Sequence, residues 1–199
     1  MKYKEWTENN DTQLKGRARR LLYEWEKLSA IADRRNDITI EEAKYNFLGL
    51  PNKYIVGYDI KSICGVENME KLNQEGAINK PIFHRGYKMS INIPDNYPDI
   101  NAPLAFQFLS KDEERKDIPH PWHPNIRFFG DFAGKVCINF TDTYTTIAWA
   151  VERVAEYLTY NLYKATETPP YPEDLKVAKW VRQQAEKYKW TQFQQDDYE

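Results

Sequence analysis

Apolar positions from Leu14 onward recur at Ala18, Leu21, Leu22, Trp25, Leu28 and Ala32, in steps of three and four that line one face of a helix. The other face carries Lys15, Arg17, Arg19 and Arg20, and Asp11 or Thr12 offers an N-cap oxygen to the unpaired amides of the first turn. The pattern blurs over residues 33–51, where 38–47 reads as a short helical turn stopped by Gly49 and Pro51. Over residues 54–63 the period changes to two and β-branched and aromatic residues dominate, which predicts a strand. Cys64 closes that strand as a small apolar residue. After a polar connection, Tyr87, Met89, Ile91 and Ile93 alternate with Lys88, Ser90 and Asn92, a half-buried strand ended by the turn Pro94-Asp95-Asn96. Leu104, Phe106 and Phe108 mark a further strand over residues 104–109.

No helix separates these neighbours, so the strands are expected to form an antiparallel meander. Residues 118–135, with three prolines, two histidines and two glycines, follow neither period and read as a structured loop. Ile147, Val151, Val154, Leu158 and Leu162 then predict a helix over 146–163. A break at Pro169, Pro170 and Pro172 leads to a last helix over 173–188, with Leu175, Ala178, Val181 and Ala185 as its buried stripe. Helix, meander, long loop and two helices describe an α+β fold in one domain spanning 14–188, with an N-terminal extension over 1–13 and a polar, acidic tail over 189–199.

With 199 residues, 41% of them hydrophobic, the chain can fill one real core. A formal charge of -2 supplies no basic field of the kind that draws nucleic acid or an acidic membrane. Residues 1–10 lack an apolar core of signal-peptide length, and no apolar run approaches the roughly 18 residues of a membrane span. Two cysteines, Cys64 and Cys137, make no disulfide framework. The expectation is a cytoplasmic protein with reduced thiols and no cofactor.

A long loop inside a compact domain usually has a job, and this one places Cys137 shortly before a helix, within reach of Lys135. His123-Pro124-Asn125-Ile126 followed by Gly134-Lys135-Val136-Cys137-Ile138 resembles the active-site signature of ubiquitin-conjugating enzymes. Upstream, Tyr97-Pro98 with Pro103 resembles that family's Tyr-Pro-x-x-Pro segment, and the predicted elements follow its order over residues 14–188. The stretch 157–163, the proline break and Ala178-Lys179-Trp180 look like the prokaryotic branch, whose members sit beside a ubiquitin-like protein, an activating enzyme and often a deconjugating protease in antiviral-defence operons.

The resemblance implies the ubiquitin-conjugating fold and two acyl transfers through Cys137, first from an activating enzyme and then to an amine of a target protein. It implies that Asn125 either donates to the oxyanion or holds the loop in shape, and that His123 braces the loop by hydrogen bonding. Glu173 or Asp174 stands where the family often has a lysine-orienting acid, with Glu167 a further candidate; acids at a helix start equally suit the helix dipole. The basic face of Lys15, Arg17, Arg19 and Arg20 would dock the activating enzyme. Three departures stand out. Twelve positions separate Asn125 from Cys137, with a surplus at 127–133; the family's tryptophan after the cysteine is replaced by Tyr144 or Thr145; and the connection between the first and second strands does not align, which predicts that one meander strand is short or lost.

Three other readings compete. A zinc site from His120, His123, Cys137 and His84 has no closed ligand spacing. A cysteine hydrolase would draft His123 or His120 as base. A catalytically silent relative would bind a ubiquitin-like protein without forming a thioester.

Overall fold

The computed structural model describes residues 3–10, 13–77, 79–99, 104–112, 114–138, 145–168 and 172–185. Helix α1 (Tyr3–Asn9) and helix α2 (Gly16–Arg34) precede strands β1 (Ile38–Tyr45), β2 (Pro51–Val66), β3 (Pro81–Asn92) and β4 (Ala105–Phe108), and helices α3 (Ile147–Leu158) and α4 (Leu175–Ala185) close the order. The four strands pair in chain order as an antiparallel meander. This is the expected α+β arrangement.

The stretch expected to be a helical turn is strand β1, which pairs Ile38 with Tyr58 and Ile40 with Val56. Local pattern was too weak to decide it; an open β2 edge with its backbone groups unpaired supplied the ladder instead. At the β1–β2 turn, Asn46 Oδ1 accepts from the N–H groups of Leu48 and Leu50, both at 3.0 Å. Trp6 of α1 packs edge-on against Trp25, with ring centroids 6.3 Å apart, and its indole N–H donates to Leu48 O at 3.2 Å. The candidate caps Asp11 and Thr12 lie outside the described residues; Lys15 is the N-cap of α2 and makes no side-chain cap bond.

One face of the sheet holds the main core. Tyr54, Val56 and Tyr58 of β2, Met89 and Ile91 of β3, and Phe106 and Phe108 of β4 are buried with Leu21, Trp25 and Leu28 of α2 and Val151 and Val154 of α3. Each such side chain contributes about 1.5–3 kcal/mol by leaving water. An irregularity in β2 between Ile63 and Gly65 breaks the alternation, so that Ile63 and Val66 turn into a second core with Trp122, Tyr160, Val177, Ala178, Trp180 and Val181. That second core lies beneath the long loop.

Helix α3 is shorter than its periodicity suggests, and α4 starts two residues later than expected, at Leu175. Thr146 caps α3, accepting from Trp149 N–H at 3.1 Å, and the helix stops at Leu158 because Tyr160 takes a left-handed conformation (φ 59°). The turn drops the Tyr160 ring into the second core, where its hydroxyl donates to Trp122 O. Ala178 and Val181 of the expected stripe of α4 are buried, with Val177 and Trp180 beside them, whereas Leu175 is 58% exposed. Residues 186–188 of the expected helix, and the tail, lie outside the described residues.

A buried polar joint ties α2 to the start of α3. Glu24 is fully buried, and its carboxylate accepts from Arg20 Nε at 2.7 Å, Tyr97 Oη at 2.7 Å and Ile147 N–H at 2.8 Å. Nothing in a helical period distinguishes this inward acid from its solvated neighbours.

Candidate active site

The surplus residues between Asn125 and Cys137 fold into a hairpin that stands away from its own base. Arg127 N–H donates to Lys135 O at 2.8 Å and Gly134 N–H returns to Arg127 O at 2.7 Å, while Ala133 N–H closes the tip on Gly130 O at 3.1 Å. At the base, Ile126 bridges Val136 and Cys137 N–H donates to Asn125 O at 2.8 Å. Antiparallel pairing therefore cancels the sequence separation: the insertion lengthens the hairpin and leaves Asn125 opposite Cys137. The other edge of 134–136 is laid on β4, with Phe108 N–H on Gly134 O at 2.8 Å and Val136 N–H on Phe106 O at 3.0 Å. The half-buried Cys137 thus sits on backbone anchored from both sides, and neither Cys137 nor Cys64 forms a disulfide.

Gly134 makes this docking possible. It adopts φ +86°, and a Cβ there would stand 2.6 Å from Phe108 O, a backbone atom that cannot move aside. Gly134→Ala is expected to lower stability by roughly 1–3 kcal/mol through the left-handed backbone and the clash. Urea denaturation checks it; an unchanged midpoint would mean the hairpin can lift from β4 freely.

His123 is completely buried and used on both ring nitrogens. Nε2 lies 2.9 Å from Leu162 O and Nδ1 accepts from Asn125 N–H at 3.1 Å, which fits the neutral tautomer protonated on Nε2. The ring stacks on Tyr157 at 4.8 Å and meets Tyr160 edgewise at 4.9 Å. Burial pushes its pKa down to about 3, offset in part by the Leu162 bond. The imidazole has no nitrogen to spare for a thiol. Burial likewise lowers the pKa of His120, whose ring nitrogen would meet a Cβ on Gly134 at 3.4 Å.

Asn125 is 1% exposed, and its side-chain oxygen accepts from Lys164 N–H at 2.8 Å. His123 and Asn125 therefore each fasten the loop to the segment after α3, at Leu162 and Lys164. Tyr157, Tyr160 and those two backbone groups belong to the site, and only the aromatic cluster at residues 157–163 signals them in the sequence.

The two acids at the start of α4 part company. Glu173 faces the hairpin base, 3.2 Å from Arg127 and 3.8 Å from Lys135. Asp174 is 4% exposed and accepts from four backbone N–H groups, those of Phe128, Phe129, Lys176 and Val177. A carboxylate so occupied is turned away from any incoming amine. Glu167 is exposed and paired with Arg182.

The basic face of α2 also divides. Lys15 and Arg19 are exposed, whereas Arg17 donates to Pro94 O at 3.2 Å and Arg20 is tied to Glu24, Tyr97 and Thr145 O, the last at 2.7 Å. Arg20 serves as a structural tie. Tyr144 lies outside the described residues. Among the described residues no three His, Cys, Asp or Glu side chains gather as a metal site, and no helix is long and apolar enough to cross a membrane.

No family model matches the chain, and no curated protein matches it in sequence. Solved structures that resemble it include the E2 domain of a Toxoplasma gondii ubiquitin conjugating enzyme, at 19% identity over 89% of this chain and 94% of that one, with a TM-score of 0.46. A ubiquitin conjugating enzyme E2 from Plasmodium falciparum aligns at 19% identity over 68% of this chain and 95% of that one, TM-score 0.41. Human ubiquitin-conjugating enzyme E2 G1 aligns at 16% identity over 73% and 98%, TM-score 0.42.

Proposed function

We propose that this chain is a ubiquitin-conjugating-like enzyme that carries a ubiquitin-like protein as a thioester on Cys137 and passes it to an amine of a target. The observation that carries the reading is the hairpin base: Cys137 N–H on Asn125 O, with His123 and Asn125 braced behind it. It gives the resemblance of the His-Pro-Asn and Gly-Lys-Val-Cys runs a common place in space despite the insertion.

In the first transfer the Cys137 thiolate attacks the acyl carbon held as a thioester on an activating enzyme, and that enzyme's sulfur leaves. In the second, an amine attacks the same carbon, the Cys137 C–S bond breaks and the amine's proton goes to solvent or a nearby base. A thiolate suits both steps as nucleophile and leaving group. The buried, doubly bonded His123 speaks against a hydrolase that would use it as base. Asn125 acts chiefly by holding the loop, and Glu173 is the better placed of the two acids to meet an amine. Of the four basic residues read as the docking face, Lys15 and Arg19 remain exposed to meet the activating enzyme. The likeness of residues 157–163 to the prokaryotic branch supports a bacterial conjugation pathway, with a role in antiviral defence.

The test mixes the protein with ATP, an activating enzyme and its ubiquitin-like protein, taking ubiquitin with its own activating enzyme and any such pair encoded beside the gene. A dithiothreitol-sensitive adduct is expected in wild type and lost entirely in Cys137→Ala. Binding without an adduct, with the activating enzyme shown to be charged, would make the chain a silent binding module.

A further inference from the structure

Asp174 stands at the joint between α4 and the hairpin, and its carboxylate is shared between them. One oxygen, Oδ1, accepts from Lys176 N–H at 3.1 Å and Val177 N–H at 3.3 Å, the second and third residues of α4. That is all a helix cap requires. The other oxygen, Oδ2, reaches out to Phe128 N–H at 3.0 Å and Phe129 N–H at 3.3 Å, and Asp174's own N–H donates to Pro124 O at 3.0 Å. Residues 124 and 128–129 flank the segment 125–127, which pairs with Lys135 and Cys137 and bridges Val136 through Ile126. One buried residue therefore grips both ends of the segment that holds the thiol.

The aromatic packing below it points the same way. Phe128 and Phe129 meet the Trp122 ring edgewise at 4.6 and 5.9 Å, and Trp122 meets Trp180 of α4 at 5.8 Å. Rings alone would let residues 128–129 shift on an apolar bed; hydrogen bonds to both of their amides hold this arm of the hairpin, while the β4 bonds hold the other.

We infer that Asp174 is a positioning residue for Cys137, fixing the hairpin base through Phe128, Phe129 and Pro124 while it caps α4. The catalytic importance of that placement rests on the carrier role proposed above; the placement itself does not. The two duties of Asp174 separate cleanly. Serine is a good N-cap, yet its single short hydroxyl cannot also reach Phe128 and Phe129.

The experiment compares wild type, Asp174→Ser and Asp174→Ala by site-resolved amide exchange and by the rate at which iodoacetamide alkylates Cys137, followed by mass spectrometry. In the serine variant, exchange at Phe128, Phe129 and Cys137 is expected to rise about tenfold with Lys176 and Val177 unchanged, and alkylation of Cys137 to accelerate by a similar factor. In the alanine variant both sets of amides should loosen. Acyl transfer from charged Cys137 to free lysine should fall about tenfold in kcat in the serine variant, with KM for lysine unchanged. If Asp174→Ser matches wild type at Phe128, Phe129 and Cys137, Asp174 is only a helix cap and the inference is overturned. Should alanine prevent folding, the serine variant decides alone. Wild type that never forms an adduct would remove the carrier reading, while exchange and alkylation still decide whether Asp174 positions the thiol.

Discussion

Glu24→Ala is expected to destabilise the protein by about 3–5 kcal/mol, a large fraction of what a domain of this size possesses. The carboxylate is fully buried and accepts from Arg20, Tyr97 and the first amide of α3. Removing it strands a guanidinium whose side chain is only 17% exposed and leaves a buried hydroxyl and a helix N–H without their acceptor. Glu24→Gln should cost less, because an amide oxygen still serves part of the set. Urea denaturation of both variants and of Arg20→Ala, with the double mutant, gives the coupling directly. A loss below about 1 kcal/mol for Glu24→Ala would mean that water replaces the carboxylate and that the joint is not a structural element. Because α3 carries Tyr157, on which His123 stacks, the joint also supports the site from a distance.

The second large effect is acid sensitivity from His123. In the unfolded chain this histidine titrates near 6.5, whereas burial in the folded protein brings it down to about 3. Between those values the unfolded state binds a proton that the folded state refuses, so stability rises with pH across the window. The contribution is complete above about pH 6.5 and is lost as pH falls toward 3, with a slope of about 1.4 kcal/mol per pH unit once below 6. His120, also lowered by burial, adds in the same direction, while Asp37, held low by Arg35, acts only near and below its ordinary value of 3.8. Unfolding free energies at pH 7, 6 and 5 should fall steeply in wild type and in His120→Gln, and much less in His123→Gln. A flat wild-type profile over that range would show that His123 is solvated and able to titrate, which would reopen it as a proton carrier.

The candidate site was read from a resemblance: His123, Asn125 and Cys137 were singled out because they match a short family motif, and the fold brings the three together at the hairpin base. Their spacing looked like an objection, since the thiol lies twelve positions after the asparagine. A hairpin removes the objection, but no local signal in Arg127, Phe128 and Phe129 announces that they turn back on Gly134 and Lys135. The acids were legible only as candidates. Asp174 and Glu173 are neighbours of one chemical type, and what separates them is which backbone amides and cations come to meet each.

The sequence by itself determined the elements that bury one continuous face: α2, β2, β3, β4, α3 and α4, because a repeat of 3.6 or 2 records burial along a single stretch of chain. It also determined that a cysteine with a His-Pro-Asn approach lies in the long loop. Tertiary structure decided what depends on a partner distant in the chain. It made β1 a strand by offering the edge of β2, and it ended α3 early so that Tyr160 could fill the second core. It drew Arg20 out of a solvated basic face to meet Glu24, and gave Asp174 four amides to hold. Each of these is a hydrogen-bonding or packing demand satisfied across tens of residues, and periodicity along the chain carries no record of which remote group will satisfy it.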